Sequence, residues 1–96
     1  MPIKIAEIKD LVARIYQVQV SDLESVSRKR AVLHPRCIAM HLAREHTDLT
    51  LKAIGKSFKR HESTVYRSIK KIKRGLLPNS GTLKEEIKFL LERLDK

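Results

Sequence analysis

Arg60-His61-Glu62-Ser63-Thr64 is a run of side chains suited to the edges of base pairs. Arginine can bond guanine O6 and N7 together, glutamate can accept from cytosine N4, and threonine offers a methyl and a hydroxyl. Arg67 extends the same face and completes a candidate base-reading set. Lys70, Lys71 and Arg74 follow at helical spacing, where cations suit phosphates and carry no sequence information. Arg44, Lys52, Lys56 and Lys59 are further candidates for backbone contacts. Ser27-Arg28-Lys29-Arg30 forms a second basic group. A flexible arginine there can enter a minor groove, and an ordinary solvated loop explains Arg28, Lys29 and Arg30 equally well.

The charge distribution separates these readings from a generally basic surface. The formal net charge is +10, from 21 Lys and Arg against 11 Asp and Glu. Residues 51–75 hold nine basic groups against Glu62 alone, whereas residues 76–96 balance four against four. An excess concentrated in a quarter of the chain is the footprint of a polyanion-binding face. The macrodipole of a helix accounts for Lys73 and Arg74 near its end about as well as DNA does.

Other chemistries find little support. His34, Cys37, His41 and His46 lie close in sequence but match no common zinc spacing, so no metal is expected. Cys37 has no discernible orienting acid or oxyanion loop and reads as a small buried thiol. Glu85 and Glu86 are adjacent, point apart, and favour a helix start instead. No glycine-rich phosphate loop occurs. We therefore expect no enzyme, no cofactor, no small-molecule substrate and no membrane partner. The single cysteine and the absence of a leader or a long apolar run fit a cytoplasmic, nucleoid-associated protein.

The elements that must position these residues follow from apolar periodicity. With 96 residues there is room for one core, and 42% apolar residues suffice to build it. Spacing near 3.6 recurs five times and spacing of 2 nowhere, which predicts an all-α domain of about five helices. Ile5, Ile8, Leu11, Val12 and Ile15 stripe the first helix. Ser21 to Glu24 fits a capping box over a short turn. Pro35 is expected to start the second long helix, with Ile38, Ala39, Leu42 and Ala43 inward. Thr50 caps a third, holding Leu51, Ile54 and Phe58. Gly55 within it suggests a close helix–helix approach, since a mid-helix glycine costs about 1 kcal/mol. Lys59 to His61 form a tight turn before a helix over 62–74, with Val65, Ile69 and Ile72 inward. A three-residue joint between two helices is the mark of a helix-turn-helix, whose second helix enters the major groove. Gly75 to Gly81 reads as a linker, and Thr82 to Glu85 as a second capping box. Leu83, Ile87, Leu90, Leu91 and Leu94 line one side of the last helix, where they either complete the core or pair with a protein partner or second copy.

Three runs carry a resemblance. His34 to Glu45, reading His-Pro-Arg-Cys-Ile-Ala-Met-His-Leu-Ala-Arg-Glu, resembles the "PRQxAMxLAxE" run of the DNA-binding domain of the DnaA family of bacterial replication initiators. Ile54-Gly55-Lys56-Ser57-Phe58 resembles its "IGxxF" run, and Arg60 to Ile72 its signature "RDHTTVxxAxxKI". The likeness runs from about residue 5 to 74 and implies a helix-turn-helix that reads double-stranded DNA. It implies a minor-groove role for Arg28, major-groove roles for Arg60 to Thr64, and backbone roles for Arg44 and Lys71. The family pattern has Asp-His where this chain has His61-Glu62, and two glycines where Lys59 stands, so an altered preferred sequence is expected. Nothing of the family's nucleotide-binding motor is present in this sequence, so ATPase activity is not implied.

The domain expectation is a DNA-binding unit over 1–75, with 76–96 a linker and helix packed on it. The function expected is sequence-specific binding of double-stranded DNA in control of transcription or replication initiation. The Met1-Pro2 start suggests a free-standing regulator. The alternatives are a helical interaction module or an excised domain of an initiator. RNA binding is disfavoured, because two Tyr and two Phe form no stacking platform.

Overall fold

The first helix closes on a backbone signal that its apolar stripe alone does not reveal. Gln17 adopts the left-handed conformation (φ 56°), and the Val18 N–H returns 2.9 Å to the Ala13 carbonyl. That 6→1 bond satisfies a helix-end carbonyl and turns the chain. A computed structural model describes residues 3–27, 29–76 and 81–94, the side chains of Leu76 and of 81–84 apart. Within them lie α1 (Ile5–Ile15), α2 (Val20–Leu23), α3 (Arg30–His46), α4 (Leu51–Phe58), α5 (Glu62–Leu76) and α6 (Gly81–Leu94). No strand occurs among the described residues. The described residues are all-α, five longer helices with one short helical turn.

α3 is the centre of the domain. Residues 35–43 are buried without interruption, and α1, α2, α4 and α5 all pack around them. Ile8 and Val12 of α1, Ile54 and Phe58 of α4, and Val65 of α5 reach the same core with no exposed surface. Each is an inward position of an amphipathic helix, so the 3.6-residue period and the burial agree.

Four local expectations are corrected. α3 starts at Arg30, five residues before Pro35. The N–H groups of Val32 and Leu33 bond the Lys29 carbonyl at 2.9 and 2.8 Å, so the helix is already formed when proline is reached. Pro35 deprives the Ala31 carbonyl of its usual partner, but it is itself buried, as is Val32. The capping box of α2 is built from Gln19 and Asp22, not from Ser21 and Glu24, with the Gln19 N–H donating 3.0 Å to Asp22. α6 starts at Gly81, which puts Thr82 inside the helix, while the side chains that would form a cap at Thr82 lie outside the described residues. α5 also runs on to Leu76, through the start of the expected linker, and linker residues 77–80 lie outside the described residues.

α6 lies against α1 and α5. Ile87 and Leu90 are buried in the core cluster, and Leu91 and Leu94 pack half-buried against it, whereas the Leu83 side chain lies outside the described residues. A polar contact fastens the helix from the side. The Tyr16 hydroxyl donates 2.7 Å to Glu86, and His34 Nε2 lies 3.0 Å from the same oxygen. The Tyr16 and His34 rings meet edge-on at 5.7 Å. Burial raises the Tyr16 hydroxyl above its usual pKa, and the bond and charge of Glu86 add to this.

Candidate nucleic-acid interface

The interface begins with how α4 stops. Thr50 accepts from the Ala53 N–H at 3.1 Å and so starts the helix cleanly. At its far end Lys59 takes the left-handed conformation (φ 56°, ψ 44°). The Arg60 N–H then donates 2.8 Å to the Gly55 carbonyl and the Lys59 N–H 3.2 Å to that of Lys56. This pair of bonds is a Schellman motif with a lysine where glycine is usual. It folds the chain back so tightly that a Cβ on Gly55 would stand 2.5 Å from the Arg60 carbonyl oxygen. The glycine therefore serves the turn, whose backbone is its nearest neighbour, and the Glu62 N at the start of α5 follows at 3.5 Å.

α5 starts on the other side of the turn, and His61 caps it. Its carbonyl accepts from the N–H groups of Thr64 and Val65 at 3.0 and 3.3 Å, and its Nδ1 accepts from that of Ser63 at 3.1 Å. From there Val65, Ile69 and Ile72 are buried. His61, Glu62, Ser63, Arg67, Lys70, Lys71 and Arg74 are exposed, and Thr64 is half-buried. Arg67 Nε turns back 3.4 Å to the Ser63 carbonyl. On α4 and the turn, Lys52, Lys56 and Lys59 are exposed too. Glu62 is the one carboxylate among the exposed side chains of α4, the turn and α5. The outer side of this helix pair is therefore a field of positive charge.

Arg60 behaves differently from its neighbours. Its guanidinium is half-buried and donates to the carbonyls of Ser25 and, at 3.1 Å, Lys59. Arg36 approaches the same loop from the core, bonding the carbonyls of Asp22, Leu23, Ser25 and Ser27 at 2.9 to 3.1 Å. Burial lowers the pKa of Arg36, and the positive charge of Arg60 lowers it further. Glu24 adds a third tie, lying 3.1 Å from Lys9 and 3.9 Å from Lys59. Lys9 also bonds the Ser57 carbonyl and sits 4.7 Å over the Phe58 ring. The loop after α2 is thus fastened to the turn before α5. Five distant backbone carbonyls, those of Asp22, Leu23, Ser25, Ser27 and Ser57, accept these bonds, and no sequence pattern announces them.

The same packing brings the second basic group to the helix. Arg30 and Lys71 line one recess, and Val26, Arg60, Thr64 and Ser68 line the next. Lys29 and Arg30 are exposed, with Arg30 the first residue of α3 and not part of a loop. Arg28 lies outside the described residues. Arg44 is exposed and steadies the approach to α4 through its bond to the Leu49 carbonyl at 3.0 Å. Tyr66, 53% exposed with Lys70 5.8 Å from its ring centre, stands on the flank of α5 and was not among the sequence-based candidates. Its outward place between buried Val65 and Ile69 was readable from the period. Lys73 pairs with Glu45 at 3.6 Å.

The histidine and cysteine group does not converge. No cluster of three or more His, Cys, Asp or Glu among the described residues could hold a metal ion. Cys37 is buried as a free thiol. No described helix is long and apolar enough to cross a membrane.

Comparison with known proteins agrees with this geometry. The family model described as the bacterial DnaA protein helix-turn-helix matches residues 5–72. The chain is 36% identical over 88 residues to the chromosomal replication initiator protein DnaA of Desulfatibacillum aliphaticivorans, covering 92% of this chain and 19% of that protein. It is 48% identical over 65 residues to the protein of that name from Desulfotalea psychrophila, covering 68% and 14%. With that of Rickettsia canadensis the identity is 41% over 93 residues, covering 96% and 20%. The chain therefore spans a fifth or less of the length of these relatives.

Proposed function

The chain belongs to the bacterial DnaA helix-turn-helix family, and from that premise we propose that it binds double-stranded DNA sequence-specifically, in control of replication initiation or of transcription. α5 lies in the major groove with its first turn against base edges. His61, Glu62, Ser63, Thr64 and Arg67 read bases. Arg60 either joins them by exchanging its carbonyl partners for a guanine, or holds the loop that leads to the minor-groove residues. Arg28, Lys29 and Arg30 reach the adjacent minor groove. Arg44, Lys52, Lys56, Lys59, Lys70, Lys71 and Arg74 meet phosphates and set the register.

The observation that carries this reading is the outer side of α4 and α5, where exposed cations face solvent with Glu62 as the one carboxylate among them. The recess shared by Arg30 and Lys71 adds a second line of support, because it sets the start of α3 beside α5. The role is that of a DNA-binding unit, whether within a regulator or as the DNA-reading part of an initiator.

Selection of bound duplexes from a random pool tests this. Enrichment of a defined motif is expected, and binding that ignores sequence would overturn it. Tight, selective binding to the standard initiator box would assign the replication role over the transcriptional one.

A further inference from the structure

The way His61 caps α5 fixes which of its ring nitrogens carries the proton. The Ser63 backbone N–H lies 3.1 Å from His61 Nδ1, and the Ser63 hydroxyl lies 2.9 Å from the same atom. A backbone N–H can only donate, so Nδ1 must be the acceptor, and the neutral ring then carries its proton on Nε2. The His61 carbonyl is engaged as well, by the N–H groups of Thr64 and Val65. Ring and backbone are both fastened to the first turn, so tautomer and orientation are set together. The two ring nitrogens point in roughly opposite directions. With Nδ1 turned to the helix start, the Nε2–H of this exposed residue is directed away from it, towards whatever α5 meets.

We propose that His61 is a donor-only reader, and that the duplex bound by this protein presents a hydrogen-bond acceptor at the base His61 faces. This rests on the reading that α5 enters the major groove. In that groove guanine offers O6 and N7, adenine N7 and thymine O4, whereas cytosine offers only its N4 donor. Cytosine at that position would set donor against donor and leave the Nε2–H without a partner. Guanine has two acceptors side by side and is the best match. Glu62, the next residue and exposed, has the opposite polarity and suits the donors of cytosine N4 or adenine N6. The start of α5 therefore asks for an acceptor and then a donor at neighbouring contacts.

The test uses two substitutions that keep the cap. Aspartate and asparagine are both strong N-cap residues, so His61→Asp and His61→Asn should each fold. Asparagine can cap through its oxygen and present its NH2 group as a donor. Aspartate caps and presents only an acceptor. Duplexes selected by the wild type are varied through all four base pairs at each position and competed at one salt concentration. In the wild type and His61→Asn, cytosine at one position of the contacted strand should weaken binding about tenfold or more. In His61→Asp that same position should come to favour cytosine. If wild type and His61→Asp rank the four bases alike at every position, while the wild type remains selective, the donor assignment is wrong and the major-groove reading survives. If the wild type shows no preference at any position, the reading of α5 itself fails, and this inference fails with it.

Discussion

Gly55→Ala probes the joint on which the interface depends. In an unconstrained helix interior the change should stabilise, because alanine exceeds glycine in helix propensity by about 1 kcal/mol. Here the added Cβ would meet the Arg60 carbonyl oxygen at 2.5 Å, against 3.4 Å or more for ordinary contact. That neighbour is backbone, and the Arg60 N–H is already bound to the Gly55 carbonyl at 2.8 Å, so it cannot swing aside like a side-chain tip. Overpacking of this kind costs about 1–3 kcal/mol. The clash outweighs the gain in helix propensity, and a net loss of about 1 kcal/mol is expected. The retreat also shifts the turn that carries His61, so DNA affinity should fall about tenfold for selected duplexes and much less for random ones. Urea unfolding followed by circular dichroism gives the first number, and anisotropy titration of labelled duplexes the second. If Gly55→Ala gained the full helix-propensity increment and bound DNA unchanged, the tight turn between α4 and α5 would be refuted.

Other outcomes follow from particular residues. Val65 is fully buried on the inner side of α5, so Val65→Asp places an unpaired charge in the core and should abolish the cooperative thermal transition near neutral pH. Lys71→Ala should weaken all duplexes alike and reduce the salt slope by about 1. The wild-type log–log slope should lie near −5 to −7 for about five to eight phosphate contacts, and a slope near zero would contradict the electrostatic part of the reading. His41 is 6% exposed, and its Nδ1 has no partner among the described residues. Burial lowers its pKa below 6.5, helped by the charges of Lys73 and His46 and opposed by Glu45. The unfolded chain therefore takes up a proton that the folded chain refuses. Stability from this group is complete above about pH 6.5 and declines as the pH falls below it. Urea midpoints from pH 7.5 to 5 should show that decline, and His41→Leu should flatten it.

The residues show where sequence patterning suffices and where it does not. α4, the turn over Lys59 to His61 and the start of α5 at Glu62 were legible, because each depends on neighbours within a few residues: Thr50 as a cap, Ile54 and Phe58 inward, then Val65 and Ile69. Pro35 misled in the other direction. Proline favours a first turn, but burial of Val32 and Pro35 extends α3 backwards to Arg30 against that preference. The engagement of Arg60 with the Ser25 carbonyl spans 35 residues, and the Tyr16–Glu86 bond spans 70. Pairings of that separation leave no periodic trace. Arg60 thus looked like a free base-reading side chain, while part of its guanidinium was already directed at the chain itself. Composition did reveal the charged side of α5, since an excess of cations packed into 51–75 has few places to go except outward.

The most direct measurement is amide NMR with and without a selected duplex. The largest shift and intensity changes should fall on His61 to Arg74 and on Lys29 and Arg30, with α6 and the buried side of α1 nearly unchanged. Changes centred on α6 or α1, with the exposed residues of α5 unaffected, would contradict the placement of DNA on that face.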